Sequence, residues 1–212
     1  MIKLSNIQVY NFQGAFRGMR NPLASWHLAD TTYNSDGSID TWGENDKQLA
    51  LKLVKAGSDH SKFLRQIFVS MDIIAPDYWW KEMDTYKVGT VANSTSTMHK
   101  LTSRYLTPED FSWDELTYTR EVTLKNINLL IDTYKSALEP GREDKVIADI
   151  CWRRLIQDLP MSFNYTRTWT GSYENLRNIY PSRKHHKVIE WHEFCRMIEG
   201  LPCSELITVK RG

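Results

Sequence analysis

Between Gln66 and Ile73 the chain alternates, with Ile67, Val69, Met71 and Ile73 on one side and Gln66, Phe68, Ser70 and Asp72 on the other. A period of two is the mark of a strand with one face buried, and no other stretch restricts the fold as much. It predicts a central strand. Ala75 then meets Pro76, which cannot donate to a ladder but suits the first turn of a helix, and Asp77 adds a negative charge where the helix dipole favours one. A helix through Tyr78 to Tyr86 is expected next.

After that helix comes Gly89-Thr90-Val91-Ala92-Asn93-Ser94-Thr95-Ser96-Thr97, dominated by hydroxyl and amide side chains. Two readings stand side by side. Its glycine lets the backbone approach a ligand, and Thr90, Asn93, Ser94 and Ser96 can donate to a phosphate or a base edge. The same residues can equally form a solvated turn bonded to its own backbone.

Length and composition bound the rest. With 212 residues, 41% hydrophobic and 12% aromatic, the chain can bury a sizeable core, and one domain over residues 1–212 is the expectation. The 27 basic and 26 acidic residues give no broad field for nucleic acid or an anionic membrane. Cys151, Cys195 and Cys203 lack the spacing of a zinc site, and no run is long enough to span a bilayer. A reducing, cytoplasmic setting is expected.

In chain order, Ile2 to Tyr10 reads as a first strand, followed by a turn over Asn11 to Pro22. There Gly14, Gly18, Arg17 and Arg20 can hold an anion, or the arginines are simply exposed. Asp30 to Trp42 reads as a mobile loop, and Asn45 as the cap of a helix with Leu49, Leu53 and Val54 on one face. Thr107-Pro108-Glu109-Asp110 is a helix-start signature, and helices are expected from about Trp113 to Leu138 and from about Glu143 to Asp158. The second of these is expected to bury Val146, Ile147, Ile150, Cys151 and Leu155. Met161 to Thr170 suits a strand, Ser172 can cap a helix that breaks near Pro181, and a last helix spans about Lys187 to Glu199. His186 and Glu190, four apart, are a weak metal pair with His192 out of phase. Trp79 and Trp80 can stack on a ring, though adjacent tryptophans more often divide between core and edge. Glu82 and Asp84 do not share a helix face and carry no catalytic assignment.

The order of these signals resembles the flavin-dependent thymidylate synthases. In that family a His-x-Ser-x-Phe-type segment enters a strand, a helix follows, and a loop carries Arg-His-Arg-x2-Ser-x-Asn-Glu-x-Ser-x-Arg-Tyr. Here His60-Ser61-Lys62-Phe63 enters the strand, the helix runs through Trp79 to Asp84, and Thr85 to Thr90 leads to Asn93-Ser94-Thr95-Ser96-Thr97-Met98-His99. Downstream, Arg153-Arg154-Leu155-Ile156-Gln157-Asp158-Leu159-Pro160, Asn175-Leu176-Arg177, and Arg183 with His185, His186 and Lys187 follow the family order, and Ala15-Phe16-Arg17 is similar to its early Ala-Ala-Arg. The chain is also similar to a group of divergent phage and bacterial relatives. It departs where Thr85, Lys87 and Met98 stand in place of the family's arginines and Ser94 in place of its glutamate. Arginine forks hold phosphate by paired hydrogen bonds that a lysine point charge does not reproduce.

The resemblance implies an α+β fold with a central, mostly antiparallel sheet flanked by long helices. It implies FAD held by His60, Lys87, Asn175, Arg177, Arg183 and His186, the last four near the helix start at Ser172. It implies a pyrimidine nucleotide met by Arg17, Thr90, Asn93, Ser94 and Ser96, with NADPH and methylenetetrahydrofolate as co-substrates and a homotetramer that shares its sites. No protein nucleophile is implied, because the reduced flavin supplies hydride. The alternatives are a protein on the same scaffold that sequesters a nucleotide without turnover, and a plain interaction module.

Overall fold

Val69, Met71 and Ile73 are fully buried while Ser70 and Asp72 are half-exposed, as the alternation requires. Each buried aliphatic or thioether side chain of this row contributes about 2 kcal/mol. The structure, a computed structural model, describes residues 2–210. In chain order its elements are β1 (Lys3–Tyr10), α1 (Phe12–Arg20), β2 (Thr32–Tyr33), β3 (Ile39–Thr41), α2 (Glu44–Lys55), β4 (Phe68–Pro76), α3 (Asp77–Met83), β5 (Val91–Ser94), α4 (Thr97–Lys100), α5 (Tyr118–Ala137), α6 (Lys145–Asp158), β6 (Asn164–Ser172), α7 (Tyr173–Arg183), α8 (Glu190–Glu199) and α9 (Glu205–Thr208). The architecture is α+β, with a four-stranded sheet in the order β1-β4-β6-β5 and a separate β2-β3 hairpin. Thr168 donates to Asp72 and Thr170 to Ser70, so positions rise on β6 as they fall on β4 and this central pair is antiparallel.

By packing, the described residues divide into two compact units, one of residues 2–3, 74–81 and 94–167 and the other of residues 4–73, 82–93 and 168–210. The first unit is built on the α5-α6 hairpin, whose Ile127, Ile131 and Leu155 pack with Leu101, Leu106 and Phe111. Trp79 and Trp80 are both fully buried in it, ring against ring at 4.9 Å, so neither sits at an edge and neither offers a face to a cofactor. The buried line of α6 is Ala148, Cys151 and Leu155. At 100° per residue that line turns Val146 and Ile150 to the opposite side, and Val146 is 70% exposed where the sequence suggested burial. Ile147 is exposed as well, as is Leu129 on α5.

The second unit corrects several expectations. Residues 12–20 form a helix, not an anion-holding turn, because Phe12, Ala15, Phe16 and Met19 share one face and bury it. Its last residue, Arg20, is 2% exposed and meets the Asp46 carboxylate at 2.6 Å, with further bonds to the Ser25 and Leu28 carbonyls. The expected loop at 30–42 contains the β2-β3 hairpin, turned at Gly37 with φ +82°. Asn45 does not cap α2. Asp30 reaches across from that loop instead, its carboxylate accepting the N–H groups of Asn45 and Asp46. In the first unit, α5 likewise begins later than expected, capped by Thr117, and Thr107 to Asp110 closes only a short turn. Pro181 lies within α7, which continues to Arg183.

Two tests follow from this packing. Asp46→Ala leaves the Arg20 guanidinium buried without its carboxylate and should cost about 3–5 kcal/mol in denaturant unfolding. Burial also raises the proton affinity of several acids in the second unit, Cys195 to a pKa of about 11 and Tyr33 to about 12, with Cys203 and Tyr173 moved in the same direction. The folded chain therefore keeps protons that the unfolded chain releases. Stability should be complete below about pH 9 and fall as the pH rises toward 11, read as melting temperature against pH.

Candidate functional site

In the second unit, β6 runs directly into α7 through Ser172, and the junction is fixed by a reciprocal cap. The Ser172 hydroxyl accepts the Asn175 N–H at 3.4 Å and the Asn175 side-chain oxygen accepts the Ser172 N–H at 2.9 Å. The amide nitrogen of Asn175 then donates to the Val88 carbonyl at 2.8 Å, tying the segment after α3 to the start of α7. Facing this junction is a cavity of about 620 Å3. Its walls come from Arg65 and Phe68 at the entry to β4, from Thr85, Tyr86, Val88 and Gly89, and from the first turns of α7. Gly89 has φ +73°, a conformation that favours glycine, and lets the backbone form this wall.

Most polar groups of the wall are already committed. The Thr85 hydroxyl donates to the Glu82 carbonyl at 2.7 Å, and the Tyr86 hydroxyl accepts from Arg183 at 3.1 Å. Two charged groups are not. Arg65 has neither a hydrogen-bond nor an ion-pair partner among the described residues, and the Glu174 carboxylate has an oxygen, Oε2, that is shielded from solvent without a donor. Phe68 keeps 45% of its surface exposed. An unpaired cation beside an open ring face suits a polar, planar molecule.

Of the residues proposed from sequence for a cofactor, Asn175 lines this cavity. Arg177 is 3% exposed, and its guanidinium donates to the carbonyls of Leu206, Ile207 and Val209 at 3.1, 3.3 and 2.8 Å and reaches Val54 at 3.5 Å. It braces α9 and α2 against α7. Arg183 pairs with Glu82 at 2.9 Å and lies over the rings of Tyr86 and Trp191. His186 stands 3.7 Å from the same carboxylate, which also accepts from the Trp191 indole at 2.6 Å. Glu82, given no role from sequence, is thus the centre of a cluster that holds Tyr86 in the cavity wall. Lys87 is exposed, and Thr90 turns its hydroxyl to the Lys87 carbonyl.

His60 lines a different cavity of about 330 Å3, with Gly18, Phe63 and Gln66 among its neighbours. Arg17 is exposed on α1, and Asn93 lies on β5, an exposed edge strand where a polar loop was expected. Ser94 shares that strand, its hydroxyl on the Thr95 carbonyl. In the first unit, Ser96 caps α4 and lines a cavity of about 290 Å3 together with Thr95, Thr97, Lys3, Lys100 and Arg104. Partial burial opposes ionisation of Asp110 there, but the bidentate Arg104 beside it holds its carboxyl below the usual range. No group of three or more ligating side chains that could hold a metal forms among the described residues. Arg65 and Glu174 were missed from sequence. Arg65 carries only the signal of a cation at a strand entry, and Glu174 that of an acid in the first turn of a capped helix.

No protein-family model matches the sequence, and no curated protein sequence does. Solved structures do. Thymidylate synthase X of Helicobacter pylori, in a crystal structure with FAD and dUMP, superposes with a TM-score of 0.71 over 98% of this chain and 98% of that one, at 14% identity. The chain has the fold of the flavin-dependent thymidylate synthases. A second structure of the Helicobacter pylori enzyme complexed with FAD and dUMP gives a TM-score of 0.63 at 15% identity, covering 98% of this chain and all of that one. Among the described residues, no helix is long and apolar enough to cross a membrane.

The two kinds of α7 residue should separate by stability. Arg177→Met strips several buried carbonyls of their donor and is expected to cost about 3 kcal/mol or more in urea unfolding. Asn175→Ala removes one half of the cap and should cost about 1 kcal/mol by the same measurement.

Proposed function

We propose that this chain is a flavin-dependent protein of the thymidylate synthase type, a single domain over residues 1–212 that binds FAD in the 620 Å3 cavity and acts on a pyrimidine nucleotide. The observation that carries the reading is the full-length match to a thymidylate synthase fold whose solved forms hold FAD and dUMP. The cavity fits the cofactor on its own terms. Arg65 is a cation without a partner among the described residues, Phe68 offers a ring face, and Gly89 gives close backbone approach. Bound flavin would supply hydride to the pyrimidine ring, with NADPH and methylenetetrahydrofolate as co-substrates by resemblance. The chain's own residues would bind, orient and exclude water: Asn175 and Val88 fix the wall, and the Glu82-Arg183 pair holds Tyr86.

The nucleotide contacts of this reading are Thr90, Asn93, Ser94, Ser96 and Arg17, and the exposed amide and hydroxyl edge of β5 supports completing them from a second copy in a cytoplasmic homo-oligomer, a tetramer by resemblance. Exposed Val146, Ile147, Ile150 and Leu129 support association in the same way. A second reading is favoured by one observation. Arg177 and Arg183, the cations expected to hold phosphate, are spent inside the protein, which suits a nucleotide-binding protein without turnover.

Purified protein should carry flavin absorbance or gain it with added FAD, and FAD should raise its melting temperature. Arg65→Gln should weaken FAD binding about tenfold or more while leaving the melting temperature of the free protein unchanged. Formation of dTMP from dUMP with the full set of co-substrates separates the enzyme from the binding protein. A chain that neither binds FAD nor is stabilised by it does not have this function.

A further inference from the structure

We infer that the cavity beside the start of α7 is a mononucleotide site, which takes one planar ring against Phe68 and one phosphate on Arg65 and so reads only one half of a dinucleotide. This rests on the flavin and nucleotide reading above and names the ligand class of the same cavity.

The donors of the wall set the limit. Arg65 is the one cation among the described residues that line it, and it has no partner there. Nearby cations are placed elsewhere: Lys87 is exposed, and the Arg183 guanidinium is held by Glu82 at 2.9 Å. The Ser172 hydroxyl donates to the Asn175 side-chain oxygen at 2.8 Å, the Asn175 amide nitrogen to the Val88 carbonyl, and the Thr85 hydroxyl to the Glu82 carbonyl. Asn178 is engaged within the protein as well. Tyr86 accepts from Arg183 at 3.1 Å and keeps its O–H proton, a single neutral donor. One guanidinium fork grips one phosphate through two parallel, charge-assisted bonds. A second phosphate finds no cation in this wall, which also carries the Glu174 carboxylate. Ring platforms are as few. Phe68 is 45% exposed, whereas the Tyr86 ring has the Arg183 guanidinium over it at 5.4 Å and Trp191 against it at 6.5 Å. One open platform and one charged grip are the complement of one ring with one phosphate.

FAD contains two such units, a flavin mononucleotide and an adenylate, and dUMP is a third molecule of the same chemistry. Calorimetric titration of the whole protein with FAD, FMN, AMP and dUMP, each mononucleotide then competed against FAD, distinguishes them. One mononucleotide should match or exceed the affinity of FAD and displace it, and the one that does so is the occupant. Its phosphate-free form, riboflavin, adenosine or deoxyuridine, should bind about tenfold or more weakly, because a hydrogen bond to a charged group is lost. Arg65→Gln should bring the ratio of nucleotide to phosphate-free affinity near one. FAD affinity more than about tenfold above that of every mononucleotide, or bound FAD that none displaces, overturns the inference and leaves the flavin reading intact, because the protein then reads both halves. So does equal affinity with and without the phosphate, or an unchanged ratio in Arg65→Gln. Binding of neither FAD nor any mononucleotide removes inference and reading together. The comparison of ligands on the native chain holds even where the variant fails to fold.

Discussion

A guanidinium can leave water only if oxygens meet its N–H groups, and that requirement organises the larger unit of this protein. Arg20 satisfies it with Asp46 and two carbonyls, Arg177 with the carbonyls of α9 and the end of α2, and Arg183 with Glu82 and a tyrosine hydroxyl. Arg177 and Arg183 bond segments far apart in the chain, while Arg20 ties its own helix end to Ser25, Leu28 and, 26 positions on, Asp46. Remove the arginines and α1, α2, α7 and α9 keep their local reasons to be helical but lose the polar ties that seat them.

The same commitment decides what is left for a ligand. Cations that braced the fold are no longer offered to an anion, so the binding potential of the cavity beside α7 falls to groups the fold does not use. Arg65 is such a group, on the short turn before β4. Tyr86 belongs to the wall only because Glu82 and Arg183 hold it there. Structure and site are therefore one hydrogen-bond inventory, divided between internal and external demand.

How much of this was legible depends on how local each cause is. The strand at 67–73, the cap at Ser172, the long α5 and α6 and the helix ending at Glu199 come from periodicity and end signals within a few residues and appear, although that helix starts at Glu190 and is not the last, since α9 follows it. Residues 11–22 were misread because glycines at 14 and 18 suggested a turn, while Phe12, Phe16 and Met19 had enough apolar area to carry the helix through them. Val146 and Ile150 are exposed although apolar, because the buried line of α6 runs through Ala148 and Cys151 and residue type alone does not set burial.

By itself, the sequence determined the central strand, the helices α5 to α8 and the likeness to the flavin-dependent thymidylate synthases, since period, caps and motif order are written along the chain, but not α1, the β2-β3 hairpin or β5. Only the tertiary structure decided which charges are spent. The partners of Arg177 lie 29, 30, 32 and 123 positions away, and those of Arg183 about a hundred. Spacing along a chain cannot show whether a cation faces a carbonyl or a cavity, because that is set by which segments the collapse brings together.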